Sequence, residues 1–130
     1  MSVLDEVGTY LADNGVGTLG VDLFTGTRPD EPDDVLTLYE YPGGTLEYVQ
    51  NSPLPNQESV QLQVVGRGKN YAVVRARVGL AWVAISFVQK VLSGVKYRSI
   101  RPNGSPGLIG RDGNDRVLIA FNATAEKDPS

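Results

Sequence analysis

Residues 70–92 constrain the fold more than any other part of the chain, because their apolar side chains recur on two sides of one helical wheel. The first apolar stripe comprises Tyr71, Val74, Val78, Trp82, Ile85 and Leu92. The second comprises Val73, Leu80, Ala84, Phe87 and Val91, roughly 120° away on the wheel. A helix on a small sheet usually buries one stripe, so the pattern predicts a long helix over residues 70–92 that is covered on two sides.

The first stripe is expected to face the domain's own sheet. The second stripe can be covered by the N-terminal helix of the same chain, by another copy of the protein, or partly by each. A chain of 130 residues has little further helix with which to hide it, which favours another copy. The five residues of the second stripe are therefore candidates for an oligomer interface.

The remaining patterns predict an α+β domain. Ser2 is placed to cap a short amphipathic helix that ends at Asn14 and Gly15. Strands are predicted over residues 19–24, 35–41, 59–65, 95–101, 107–111 and 116–123, and Asp112–Gly113 indicates a hairpin between the last two. We expect a mainly antiparallel sheet of four or more strands, with the long helix and the short N-terminal helix packed on it. The predicted domain spans residues 1–125, followed by a frayed tail over 126–130.

Composition argues against an enzyme. The chain contains no Cys and no His, which excludes thiol nucleophiles, disulfides and a Ser–His–Asp arrangement. Its net charge of −3 is unfavourable for general binding to nucleic acid or to an anionic membrane. Residues 15–20 match G-x-G-x-x-G, but a helix precedes them and a strand follows, the reverse of a dinucleotide-binding turn. We expect no catalytic, metal or cofactor site, and no secretion signal or membrane span.

Charged residues gather in two places. An acidic loop contains Asp30, Glu31, Asp33 and Asp34, without the regular spacing of a calcium-binding loop. Basic residues flank the start of the predicted long helix: Arg67, Lys69, Arg75 and Arg77. No recognised nucleic-acid module accompanies them, so they are interpreted as surface or interface charges. The two groups could pair between neighbouring copies, and Arg67, Lys69 and Arg77 join the interface candidates.

The connection over residues 45–58 is long for a compact domain. Its apolar residues, with Tyr48 as the best single anchor, are candidates for contact with a partner: Leu46, Tyr48, Val49 and Leu54. A mobile surface loop, or a hairpin folded back on its own sheet, remains the alternative.

An ordered set of short motifs resembles a family of siphophage minor capsid or tail-terminator proteins. The set comprises Leu11–Ala12, Gly15 to Phe24, Pro29–Asp30, Tyr39 to Tyr41, Gly43–Gly44, Val60 to Val64, Arg67 to Tyr71, Ser105–Pro106 and Leu108 to Asp112. It covers nearly the whole chain, although Arg77, Gly79 and Trp82 depart from the family's pattern and residues 45–58 vary freely within it.

The resemblance implies a tail-terminator-like α+β subunit of a hexameric ring, without cofactor. Such a ring caps the tail tube, stops its polymerisation and joins it to head-completion or connector proteins. It lies at the head–tail junction of the virion, is assembled in the host cytoplasm, and lets DNA pass without specific binding. A head-completion or neck protein of the same connector is the alternative, ahead of a monomeric binding module.

Overall fold

The computed structural model describes residues 2–41, 46–48 and 55–128. Within these residues the chain forms two helices and eight strands. In order they are α1 (Val3–Asp13), β1 (Leu23–Thr25), β2 (Val35–Tyr41), β3 (Leu46–Tyr48), β4 (Pro55–Gly68), α2 (Tyr71–Ile85), β5 (Phe87–Leu92), β6 (Val95–Pro102), β7 (Gly107–Arg111) and β8 (Val117–Lys127). The predicted α+β class is confirmed.

The strands form one curled sheet around two long neighbours, β4 and β8. The order across the sheet is β1-β2-β4-β8-β6-β5, with β3 on the same edge of β4 as β2, and β7 on the same edge of β8 as β6. The pair β1–β2 is parallel, and the other pairings among the described residues are antiparallel. The predicted hairpin at Asp112–Gly113 is present as the pair β7–β8.

Helix α2 lies directly against β4 because two glycines leave room for it. A Cβ atom on Gly66 would lie 2.3 Å from Val78 Cγ2, and one on Gly68 would lie 2.6 Å from Val74 Cγ2. The same face of β4 presents Val60, Leu62 and Val64 to the core. The core therefore sits between one face of the sheet and the two helices.

The prediction of one helix over residues 70–92 is wrong, because α2 ends at Ile85 and residues 87–92 form β5. The Ser86 hydroxyl donates to the carbonyl oxygen of Trp82, and Ser86 itself has extended backbone angles. After β5 the chain turns back through Ser93 and Gly94, both with positive φ, as a two-residue hairpin turn requires. Phe87, Val91 and Leu92 therefore belong to a strand and not to a helical stripe.

Three smaller predictions also change. Strand β1 starts at Leu23, since residues 19–22 form a turn closed by amide bonds to the Thr18 carbonyl. Trp82 is half-buried and its Nε1 donates to the carbonyl of Gly104, whereas Ile85 is fully buried. Strand β8 continues through Lys127, whose side chain is buried, so residues 126 and 127 belong to the sheet and not to a frayed tail.

A buried polar cluster ties α1 to the far end of the sheet. Helix α1 is capped as predicted by Ser2, which shares reciprocal hydrogen bonds with Asp5. One turn on, Glu6 points into the core, where it accepts a 2.6 Å hydrogen bond from the Tyr97 hydroxyl and lies 3.9 Å from Lys127 Nζ. All three side chains are buried, so the ends of the chain meet inside the domain.

Candidate assembly surfaces

Helix α2 is apolar on its outer face as well as on its inner one. Val74, Val78, Ala81 and Ile85 face the core. On the other side Val73, Leu80 and Val83 are 54%, 61% and 68% exposed. Ala72 and Ala76 are exposed between them, and we call these five residues the outer stripe. A helix that is apolar all round is typical of burial on both sides, and nothing in the described part of the chain covers this side.

The N-terminal helix covers part of the predicted second stripe. The Tyr10 hydroxyl donates a 2.9 Å hydrogen bond to the carbonyl of Ala84, and the rings of Tyr10 and Phe87 meet edge to face at 5.3 Å. Val73 and Leu80 on α2 and Val91 on β5 stay exposed. The predicted stripe is therefore divided: α1 covers Ala84 and Phe87, and the other members stay open. The outer stripe also has three members that were not predicted: Ala72, Ala76 and Val83.

Arg67 holds the acidic loop against its own domain. Its guanidinium group donates to four backbone carbonyls, at 2.6 Å to Pro29 and 2.7 Å to Pro32 and at 3.2 Å to Asp30 and Asp33. Only 3% of the residue is exposed. Burial, with the charges of Arg116 and Arg28 next, lowers the pKa of Arg67 against the opposing effect of Asp112 and Asp30. Arg67 is therefore buried and fully engaged within its own subunit, and it is not among the residues that the single subunit leaves open to a neighbouring copy.

Arg116, which was not among the predicted site residues, is the second support of the acidic loop. It forms ion pairs with Asp30 at 2.9 Å, with Asp33 at 3.3 Å and with Asp112 at 2.8 Å. Burial acts to lower its pKa, but the hydrogen bonds to Asp30 and Asp112 outweigh that effect and raise it. At Asp112, likewise, desolvation is outweighed by hydrogen bonds from Arg116 and Asn114, and the pKa is lowered. The sequence indicated only one of these contacts: the turn after Asp112 places Arg116 close to the Asp112 carboxylate.

The other basic candidates also find partners within the subunit. Lys69 lies 3.4 Å from Asp33, and Arg77 lies 3.4 Å from Asp22 and donates to its carbonyl at 2.9 Å. Within the acidic loop and the four basic residues, the side chains of Glu31, Asp34 and Arg75 have neither an ion pair nor a hydrogen bond to other described residues. The charges are thus largely paired within one chain, and these three are the ones left to act between chains.

The second face of the sheet carries neither of the two helices that the described residues form. Across its middle lie six uncharged polar residues, which we call the outer sheet face: Tyr39 and Tyr41 on β2, Gln61 and Gln63 on β4, and Asn122 and Thr124 on β8. Gln61 accepts hydrogen bonds from Thr124 at 3.1 Å and from Tyr41 at 3.5 Å. The strand register places Arg101 and Glu126 at the margin of the outer sheet face. Strand alternation in β2 and β4 places these side chains on one face, and none of them was among the predicted site residues.

The predicted contact segment is partly a β-hairpin. Leu46 and Tyr48 lie in β3, which pairs with residues 55–58 of β4, and we call these two paired segments the arm. The arm extends past the pairing of β4 with β8, which ends at Glu58 and Lys127. Val49 and Leu54 lie outside the described residues. The backbone of the arm is thus a hairpin that continues the sheet, and its contact with a partner stays a prediction.

No group of acidic side chains within the described residues is arranged to hold a metal ion. Across the same part of the chain, no helix is long and apolar enough to cross a membrane.

Comparison with known proteins identifies the family of the chain. The family model described as "Bacteriophage tail terminator protein" matches residues 10–129. The chain belongs to the tail terminator family. A search of curated proteins gives no match. Among solved structures, a chain of one titled "Virion of native gene transfer agent (GTA) particle" superposes with a TM-score of 0.70 at 11% sequence identity, covering 98% of this chain and 96% of that one.

As a member of the tail terminator family, the protein is a structural component of a phage virion, and the family is not one of enzymes. The likeness to the gene transfer agent chain shows a shared fold. In such a protein the open surfaces of the domain are the places where assembly can occur.

Proposed function

We propose that the protein caps the tail tube as a ring of its own copies, hexameric as in the family it resembles, and joins the tube to the head-completion or connector proteins. It acts at the head–tail junction, is assembled in the host cytoplasm, and lets DNA pass without specific binding. The outer stripe of α2 is the observation that carries this proposal. Three large apolar side chains on one helix face remain in water in the single subunit, and burial against a partner would remove that apolar area from solvent.

The outer stripe is the proposed contact between copies. Val73 and Leu80 are the predicted members that remain available, whereas Ala84 and Phe87 pack against α1. Lys69 lies just before α2, at the same end as Val73, and Arg77 lies near the middle of the helix. Both are partly exposed and belong to the rim of the proposed contact. Val91 on β5 and the acidic loop are the further surfaces open to a neighbour.

Leu80→Glu tests the contact without disturbing the fold, because Leu80 is exposed in the single subunit. Burying the new carboxylate against a partner is unfavourable, so the variant should fold normally and fail to assemble. Without a cap the tube continues to polymerise, so particles made with the variant should carry abnormally long tails, measured by electron microscopy. Ile109→Glu on β7, at similar exposure but away from α2, is the matched control and should give tails of normal length. Phe87→Glu is unsuitable, since Phe87 packs on Tyr10.

The same experiment separates the proposal from its alternative. Loss of a head-completion or neck protein should leave tails of normal length that are detached from heads, because the tube is still capped. Normal tail length in the Leu80→Glu variant, with free heads, would therefore favour the neck protein. Infectious particles with normal tails would contradict both, and would leave the outer stripe without a role in assembly.

A further inference from the structure

We propose that neighbouring copies in the ring stack helix on sheet: the outer stripe of α2 in one copy packs on the outer sheet face of the next. This inference rests on the proposed ring. It identifies the surface of the neighbouring copy that the outer stripe contacts. A ring by itself is compatible with a helix–helix contact or with a contact to another surface of the neighbour.

Placement of the two surfaces is the first argument. Helix α2 lies on the face of β4 that carries Leu62 and Val64, and Gln61 and Gln63 point from the opposite face. The outer stripe and the outer sheet face are therefore on opposite sides of a two-layer domain. A closed ring of identical subunits joins two different surfaces of each copy, one on either side. The outer stripe and the outer sheet face are two such surfaces, one on each side of the domain.

Composition is the second argument. The outer sheet face has no charged side chain among its six residues, and the outer stripe has none among its five. Depletion of charge and enrichment in tyrosine are typical of the buried centre of an interface. Three of the six residues already bond to one another, because Gln61 accepts from Thr124 and from Tyr41, and this lowers the desolvation cost of covering that part of the face.

Charge complementarity is the third argument. The acidic loop is held by Arg67, whose side chain is on the same side of β4 as Gln61 and Gln63, so the loop borders the outer sheet face where β4 ends. Helix α2 starts just after that end of β4, and Arg75 in its first turns flanks the outer stripe. Both groups lie at the same end of the strands. In a ring whose axis runs along the strands, we therefore expect Arg75 of one copy to lie near Glu31 of the next. Neither charge has a partner among the described residues of its own chain.

Cysteine cross-linking in purified virions tests the stacking, because the chain has no cysteine of its own. Leu80→Cys is combined in turn with Gln61→Cys, Gln63→Cys and Asn122→Cys, and the particles are treated with a short bis-maleimide. Within one subunit the sheet and α2 separate the two thiols. Between stacked copies they meet, so the double variants should give a ladder of covalent multimers on a denaturing gel. Each single variant should give monomers, as should the control pair Leu80→Cys with Leu108→Cys on β7.

Each other outcome counts against the proposal. Dimers from Leu80→Cys alone would show that helices meet helices across a two-fold axis, and a ladder from the control pair would assign the contact to β7. Absence of multimers from every double variant, in virions that contain the protein, would overturn helix-on-sheet stacking and leave the ring in place. Absence of the unmodified chain from virions would instead refute the proposed function itself.

Discussion

The Tyr97 hydroxyl on β6 donates a 2.6 Å hydrogen bond to Oε1 of Glu6 on α1, in the interior of the domain. Burial raises the pKa of Tyr97, and the hydrogen bond to Glu6 raises it further. The phenol therefore stays neutral in the folded protein at a pH where it ionises in the unfolded chain. Lys127, on the neighbouring strand β8, lies 3.9 Å from the same carboxylate oxygen.

Tyr97→Phe should reveal this linkage through the pH dependence of stability. Near neutral pH the variant should lose about 1.5–3 kcal/mol of unfolding free energy, because a hydrogen bond to a buried carboxylate is lost. Above about pH 10 the unfolded wild-type chain releases the phenolic proton and the folded chain retains it, so the wild type loses stability as pH rises. The difference between the two proteins should then shrink by about 1.4 kcal/mol per pH unit.

Urea unfolding at pH 8, 10 and 11 measures the effect. Both proteins lose stability at high pH through their other groups, and comparison at each pH cancels that shared loss. A difference that stays constant from pH 8 to pH 11 would contradict the shifted pKa of Tyr97.

Thr37→Val should stabilise the protein by about 1 kcal/mol, which is the reverse of the usual effect of a core substitution. Thr37 is fully buried on β2, and its hydroxyl has no hydrogen-bond partner among the described residues. Valine has nearly the same shape and is preferred in strands. Thermal and urea unfolding provide the measurement.

Thr124→Val is the matched control for that change. The Thr124 hydroxyl bonds to Gln61 at 3.1 Å and to Asn103 at 3.3 Å, so the same substitution there should destabilise by about 0.5–1.5 kcal/mol. If both variants lose stability, the Thr37 hydroxyl has a partner and the interpretation of its site is incorrect.

Arg67→Lys should destabilise the protein by about 2–3 kcal/mol and release the acidic loop. The guanidinium group of Arg67 donates to four carbonyls at once. The ammonium group of lysine has fewer donors in a different geometry, so several of these carbonyls would be buried without a donor. Urea unfolding measures the first effect, and faster hydrogen exchange in residues 30–34 measures the second.

Arg111→Lys provides the comparison for Arg67. Arg111 pairs with Asp115 at 3.3 Å, and both side chains are largely exposed, so this exchange should change stability by less than about 0.5 kcal/mol. Equal effects at the two positions would mean that the loop is not held through Arg67.

Local signals in the sequence predicted much of this fold. The Ser2 cap, the strand over residues 35–41 and the Asp112–Gly113 hairpin are all present, because each depends on a few neighbouring residues. Residues 86–92 were misread because an apolar run is compatible with a helix or a strand, and periodicity alone does not distinguish them. The dipeptide Ser93–Gly94 was the available turn signal, because a Ser–Gly pair commonly marks a turn.

The candidate surfaces depended on contacts that are distant in sequence. The internal partners of Arg67 are 34 to 38 residues away, and the Asp30 partner of Arg116 is 86 residues away. No pattern along the chain distinguishes an arginine that binds its own loop from one that binds a neighbour. The outer stripe was more accessible to prediction, since the composition of α2 alone shows apolar residues all round.

The arm should contact another subunit or another virion protein. It continues the sheet beyond the last β4–β8 pair, Glu58 with Lys127, so past Glu58 its two strands have only each other as described neighbours. An isolated two-stranded hairpin is marginally stable in water. Pro53 and Pro55 restrict the unbound chain and so lower the entropic cost of docking. Tyr48 is the proposed anchor, because it combines a large apolar area with a hydroxyl group.

Limited proteolysis of the free subunit and of the assembled particle tests this contact. In the free subunit we expect cleavage within residues 45–58, and in the particle we expect protection of the same bonds, since docking removes the local opening that a protease needs. Tyr48→Ala should weaken the protection in the particle and leave cleavage of the free subunit unchanged. Cleavage at Asn114, in the exposed turn before β8, serves as an internal reference for protease access. Equal cleavage of the arm in both states, relative to that reference, would show that the arm stays exposed after assembly and has no partner there.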